Sequence, residues 1–183
     1  MIFTLTYDGP LSGSHRSASA KHHIRQALHP QLKALWRSEP LVSRKDSIDP
    51  GATGELLADV AGHGFAPLVH DHHHLRAKLQ ILMLRRDAPG GGIIHGGDID
   101  NRLKTLLDGL QRPQHPQEIP SGWQPNEDER PLFCLLDDDR LVTRVDVDTA
   151  RWLEPGDHEH VRLVITVNIW SPQMTYWSMG IAG

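Results

Sequence analysis

Residues 161–170, VRLVITVNIW, can fold in only one regular way. Their apolar side chains fall at every second position: Val161, Leu163, Ile165, Val167 and Ile169. A period of two places all of them on one face of a β-strand, whereas a helix would spread them around its surface. A strand with one apolar face has to be covered by another element. The chain therefore needs a sheet and something that packs against it.

Other segments predict further strands for the sheet and helices that can pack against it. Residues 2–7 and 75–85 alternate in the same way and predict strands. Apolar residues spaced by three and four positions predict a helix over residues 18–36 and a second one over residues 99–110. Pro30 lies inside the first helix and is expected to kink or interrupt it.

Shorter apolar runs complete the order of elements. Residues 65–69 and 141–147 predict two more strands, and the polar segment 38–64 is expected to hold one short helical turn at residues 54–60. The resulting order, β-α-β-β-α-β-β, predicts a single domain of the α+β (mixed α/β) class, with a small mixed sheet packed against two main helices.

Composition narrows the class of protein. A length of 183 residues suits one domain with a sizeable core. The net charge of −4 means that any contact with phosphates has to come from a local basic patch. The single cysteine, Cys134, excludes an intrachain disulfide. Because we also find no secretory signal and no apolar run long enough to span a membrane, we expect a cytoplasmic protein without a membrane partner.

The stretch GGDIDNRLKTLLDGL, residues 96–110, places acidic residues where a glycine-rich loop turns into the second helix. On that helix the apolar stripe consists of Ile99, Leu103, Leu106, Leu107 and Leu110. A polar stripe lies beside it and consists of Asp100, Asn101, Lys104 and Asp108. Asp98 falls outside the polar stripe, so we expect it just before the helix, with its carboxylate near that of Asp100.

Two interpretations of this acidic pair are open at this point. One aspartate at a helix start can cap free N–H groups, which is worth about 1 kcal/mol. A second aspartate repels the first, and a divalent cation would remove that repulsion. Lys104 could equally form an ordinary surface ion pair with Asp100, worth about 0.3–0.5 kcal/mol.

A second acidic feature lies downstream in LLDDDRL, residues 135–141. A solvated acidic turn is the usual explanation of such a run. Here, however, leucines stand on both sides of Asp137–Asp139, which places the carboxylates at the edge of a core. Clustered carboxylates raise each other's pKa unless a cation neutralises them, and oxygen ligands suit Mg²⁺ or Mn²⁺.

Together, DIDNRLK and LDDDRLV resemble the motifs of the RusA-type Holliday junction resolvases. That family carries an Asp-x-Asp-Asn-x-x-Lys motif that opens a helix and an Asp-Asp pair that leads into a strand. The resemblance makes Asp98, Asp100 and Asp138 the catalytic and metal-binding carboxylates. Asp137 is the other metal-binding member of the pair, and the triple aspartate leaves this assignment open by one residue.

The family's remaining motif positions are also present. Lys104 matches the catalytic lysine, which would orient a water or neutralise developing charge, and Asn101 matches an asparagine that supports the helix start. The resemblance implies a RusA-like domain over residues 1–183, with insertions at about residues 38–74 and 111–131. The second insertion is rich in proline and is expected to be a surface excursion.

The implied activity is a Mg²⁺-dependent endonuclease, with Mn²⁺ as a possible substitute, that cuts branched DNA such as four-way junctions in recombination and repair. The two equivalent strands of a junction suit a homodimer. Arg16, Lys21 and Arg25 are candidates for contact with the DNA backbone, although a solvated helix face is the ordinary role of each one.

Two other functions compete with this one. The acidic net charge favours a RusA-fold binding or interaction protein with weak or no nuclease activity. A third interpretation is a metal-dependent hydrolase of another phosphate ester. Finally, HDHHH at residues 70–74 carries imidazoles that suit Zn²⁺, but alternation would send neighbouring side chains to opposite faces, so we interpret it as a polar loop.

Overall fold

Two β-sheets form the framework of the part of the chain that the computed structural model describes, residues 1–13, 17–86 and 98–182. The larger sheet has the order β1 (Ile2–Pro10), β7 (His160–Trp170), β4 (Arg76–Arg85), β6 (Val142–Arg151). The smaller has the order β2 (Ala58–Val60), β3 (His63–Val69), β5 (Leu132–Leu136). The α+β class is confirmed, but the strands form two sheets where the sequence predicted one.

The strand β7 occupies the centre of the larger sheet. It runs antiparallel to both β1 and β4, and β4 in turn pairs in parallel with β6. The predicted apolar face of β7 is fully buried, and Ile165 lies level with Leu5 on one side and Ile81 on the other. Such rows of apolar side chains across neighbouring strands fix the register, because a slip by one residue would expose the whole face.

The helix α1 (Ala18–Trp36) has the bounds that the sequence predicted. It begins at Ser17, whose hydroxyl accepts a hydrogen bond from the N–H of Ala20 at 3.1 Å. Its buried face includes Ile24, Leu28 and Leu32. The expected interruption at Pro30 is wrong. This proline faces solvent in the middle of a continuous helix, and burial of the apolar face on both sides outweighs one missing hydrogen bond.

The second helix, α2 (Asp98–Leu110), packs against α1. The two helices approach closely at Gly109, where an added Cβ would lie 2.8 Å from both Cβ and Cγ2 of Ile24. Because Ile24 is fully buried, it cannot move aside freely. The absence of a side chain at Gly109 therefore allows α2 to lie this close to α1.

Replacing Gly109 with alanine is expected to lower the free energy of unfolding by about 2 kcal/mol. Overpacking a core costs up to about 3 kcal/mol, which suits contacts of 2.8 Å with a fully buried side chain, and the better helix propensity of alanine offsets about 1 kcal/mol of it. Urea-induced unfolding measures the change, with Lys104→Ala, at an exposed position of the same helix, as the control. A Gly109→Ala variant as stable as the control would contradict this close approach.

The segment 38–64 differs from the prediction. The helical turn expected at residues 54–60 is wrong, since a 3₁₀ helix lies earlier, over Val42–Ile48, and β2 begins at Ala58. A two-residue turn joins β2 to β3, with positive φ at both Ala61 (55°) and Gly62 (79°). This geometry matches the twist of a tight hairpin, so strand pairing determines the local structure.

The proline-rich segment 111–131 is not simply a surface excursion. Ile119 is buried, and Trp123 packs beside it against a small second core. That core lies on the smaller sheet and includes Val60, Phe65, Ile119, Leu132 and Cys134. Cys134 is thus a buried core residue. Within the described ranges, no helix combines the length and the apolar character that crossing a bilayer requires.

Candidate functional site

The acidic motif lies at the start of α2. Asp98 is the first residue of this helix, whereas the sequence placed it in the preceding loop. The side chain of Asp98 lies outside the described part of the structure, as do Arg16 and the glycine-rich loop before the helix.

Asp100 and Lys104 form an exposed ion pair one helical turn apart. The Lys104 Nζ lies 2.8 Å from Asp100 Oδ2, and the two side chains are 61% and 55% exposed. An exposed pair of this kind is worth only about 0.3–0.5 kcal/mol. A divalent cation could therefore displace the ammonium group from Asp100 at little cost. Asn101 is half-buried beside this pair.

The triple aspartate follows β5 as a turn with defined partners. The N–H of Asp137 donates to the Val69 carbonyl at 2.8 Å, and its carboxylate forms an ion pair with Arg112. Asp138 caps the 3₁₀ helix Asp139–Leu141, because its carboxylate accepts from the N–H of Arg140 at 3.0 Å. Both carboxylates thus have a structural role in the fold.

This turn lies beside the end of α2 and not beside its start. The N–H of Asp139 donates to Gln111 Oε1 at 3.0 Å, and the N–H of Arg112 donates to the Leu136 carbonyl at 2.9 Å. Asp100 precedes Gln111 by about three helical turns, roughly 16 Å along the axis. Among the side chains that the structure describes, Asp100, Asp137 and Asp138 do not form a group with ligand atoms within 4.8 Å of one another.

The candidate DNA contacts on α1 have other roles. Lys21 forms an ion pair with Asp108, at 2.7 Å between Nζ and Oδ2. Arg25 has a fully buried side chain that donates to the carbonyls of Gln111 (2.7 Å), Asp108 (2.8 Å) and Glu118 (3.2 Å). The prediction that Arg25 contacts DNA is wrong, because its guanidinium is enclosed against the end of α2.

One group of potential metal ligands was not foreseen. Glu55, His72 and His73 each offer one ligand atom, and these atoms all lie within 4.8 Å of one another. His72 and His73 belong to a 3₁₀ helix, Asp71–His73, which ends at His74 with a positive φ of 57°. The alternation expected of a strand therefore does not apply. The sequence signal was the histidine run itself, while nothing near Glu55 marks it as a partner.

Two side chains in this region, those of His70 and Glu55, have shifted pKa values. Burial, with smaller contributions from His73 and His72, lowers the pKa of the His70 imidazole to about 3, so this ring is neutral at physiological pH. Partial burial alone would raise the pKa of Glu55, but hydrogen bonds from His73 and Ser47 outweigh it and lower the pKa. A neutral imidazole and an ionised carboxylate are the forms that bind metal ions.

Comparison with known proteins finds no family model, no curated protein and no solved structure that matches this chain significantly.

Proposed function

We propose that this protein is a metal-dependent endonuclease that hydrolyses phosphodiester bonds of branched DNA. The observation that carries the proposal is the placement of the Asp-x-Asp-Asn-x-x-Lys residues. The motif opens α2, and its Asp100 and Lys104 are exposed while the opposite face of the helix is buried. A nuclease motif needs its carboxylate and its cation accessible to a phosphate from solvent, and this surface meets that requirement.

Carboxylates at an exposed helix start fit Mg²⁺, with Mn²⁺ as a substitute, because Mg²⁺ takes one or two protein carboxylates and keeps water and substrate phosphate as its other ligands. Asp98 and Asp100 would hold the ion, while Asp137 and Asp138 lie beside the other end of α2 and keep the structural partners described above. When bound, such an ion lowers the pKa of a water and stabilises charge on the phosphate.

The chain's own residues would do the remaining work. Lys104, released from Asp100, would place its ammonium group against the scissile phosphate and neutralise charge that develops there. Asn101 would hold the first turn of α2 in place. The proposal includes a homodimer in the cytoplasm that cuts the two equivalent strands of a four-way junction, and a role in recombination and repair.

Cleavage of a labelled four-way junction, compared with linear duplex of the same sequence, tests this proposal. We expect Mg²⁺-dependent cleavage of the junction that chelation abolishes. Asp100→Asn is expected to reduce the rate by about a hundredfold, because the change weakens the hold on the ion.

The matched control is Asp128→Asn. Asp128 is 93% exposed and pairs with Lys33 at 3.1 Å, so it resembles the Asp100–Lys104 pair but lies outside the motif. Its rate is expected to equal that of the unmodified protein. Failure of the unmodified protein to cleave any DNA, or full activity of Asp100→Asn, would refute the nuclease.

A second candidate function is a binding or interaction protein of the same fold with weak or no nuclease activity. The net charge of −4 favours it, as does the use of Arg25 and Lys21 inside the fold, which leaves fewer cations on α1 for DNA. This function predicts that Mg²⁺ raises the melting temperature without cleavage of junction, flap or linear DNA.

A further inference from the structure

A cluster of imidazoles and one carboxylate lies on two segments that connect strands, away from the start of α2. The Nε2 of His73 lies 3.2 Å from Glu55 Oε1, and the Nε2 of His72 lies 4.0 Å from Glu55 Oε2. Glu55 comes from the segment before β2, and both histidines come from the turn between β3 and β4. Residues distant in sequence thus meet at one point, as metal ligands commonly do.

We propose that Glu55, His72 and His73 bind one Zn²⁺ ion, at a site distinct from the proposed nuclease centre. Two imidazoles and one carboxylate are a ligand set that zinc takes with a fourth position left for water or a further ligand. Ligand atoms of a tetrahedral zinc site lie roughly 3.3 Å apart, given bonds of about 2.0–2.1 Å. Separations of 3.2 and 4.0 Å need only small side-chain rotations to reach this geometry.

Outer contacts hold these ligands in place. The hydroxyl of Ser47, which is buried, donates to Glu55 Oε1 at 3.0 Å and accepts from the indole N–H of Trp177 at 3.0 Å. The Trp177 ring also stacks on His73, with centroids 4.2 Å apart and planes inclined by 18°. Hydrogen-bonded and stacked outer residues are what orient the ligands of a metal site.

His70 is the independent observation that points to a ligand. It is only 3% exposed, and neither of its ring nitrogens has a hydrogen-bond partner among the described residues. Its centroid lies 5.0 Å from that of His73, on the buried side of the cluster. A buried polar group without a partner destabilises the folded protein. A metal ion or its bound water at the cluster would give this imidazole a partner.

A cavity of about 230 Å³ adjoins the cluster, because Glu55 and His72 are among its lining residues. Its lining includes Glu55, His70, His72, Arg112 and Asp137. Arg112 is paired with Asp137, so these two residues add little net charge to oppose a cation. The room is sufficient for water ligands around an ion.

Titration of the metal-free protein with Zn²⁺ by calorimetry tests the site, and Co²⁺ supplies a second readout through its visible absorption when coordination is tetrahedral. We expect one ion per chain in both measurements. His72→Gln is the informative variant because His72 is 61% exposed, so the fold should survive the change. Its affinity for Zn²⁺ is expected to fall by about tenfold to a hundredfold.

The control is His74→Asn, a change in the same histidine run but outside the ligand group. Asparagine tolerates the positive φ of this position, so stability should be kept. Unchanged affinity in His74→Asn together with the loss in His72→Gln supports the site. Equal losses in both variants, or no stoichiometric Zn²⁺ binding by the unmodified protein, would overturn it. Neither readout depends on DNA cleavage, so the outcome is separable from that of the nuclease assay.

Discussion

Replacing Arg25 with methionine is expected to lower the free energy of unfolding by about 3–5 kcal/mol, because it leaves buried polar groups without partners. The guanidinium donates to three backbone carbonyls, those of Asp108, Gln111 and Glu118, and lies 3.7 Å from the Glu118 carboxylate. Two of these carbonyls lie at the end of α2, where helical carbonyls have no partner within the helix. Arg25 therefore closes the end of the helix that carries the acidic motif.

Lys21→Met is the matched control for Arg25→Met. Lys21 lies one turn earlier on α1 and contacts the same part of α2, but through a partly exposed pair with the Asp108 side chain. Its loss should cost no more than about 1 kcal/mol. Urea-induced unfolding of both variants gives the comparison. If the Arg25 variant lost no more stability than the Lys21 variant, the buried guanidinium would not be the helix-closing group.

The protein is expected to lose about 3 kcal/mol of stability through His22 alone as the pH falls from above 6.5 towards 4. Burial, followed by the charge of Arg25, lowers the pKa of His22 from 6.5 to about 4 in the folded chain. In the unfolded chain the imidazole takes up its proton near pH 6.5. Between these values the unfolded state binds more protons, so acidification favours unfolding, and above pH 6.5 the effect vanishes.

His22→Leu should remove this part of the pH dependence. It should also stabilise the protein at neutral pH, because neither ring nitrogen of His22 has a hydrogen-bond partner among the described residues and the ring packs against Trp123. His23→Gln, at the adjacent exposed position, is the control and should keep the original slope. Urea unfolding at several pH values measures both. An unchanged slope in His22→Leu would contradict the assignment.

The strands and helices with strong periodicity were predictable from the sequence. β7 and α1 were predictable because one apolar face decides both the type of element and its orientation. The smaller sheet was not, because β2 has only three residues and exists through pairing with β3. Three residues are too few to show a periodic pattern. The turn that brings β2 against β3 also could not be located from the sequence.

The candidate site was predictable in part. The exposed polar stripe of α2 follows from helical spacing, and the structure places Asp100 and Lys104 on it. The sequence did not predict that the helix begins at Asp98, because the exact ends of helices depend on local contacts. The burial of Arg25 could not be predicted either. A helical wheel places this residue beside the apolar face of α1, but it cannot show that the end of α2 packs against it. Long-range packing also brings Glu55 to the histidine turn.

The central position of β7 has a consequence for synthesis. Residues 2–10 pair in the sheet with residues 160–168, so this strand lacks its partner strand until those later residues have left the ribosome. Contacts so distant in sequence slow folding, and an unpaired apolar strand is prone to aggregate while it waits. Chaperone protection of β1 while it lacks its partner strand is therefore expected to raise the yield of folded protein.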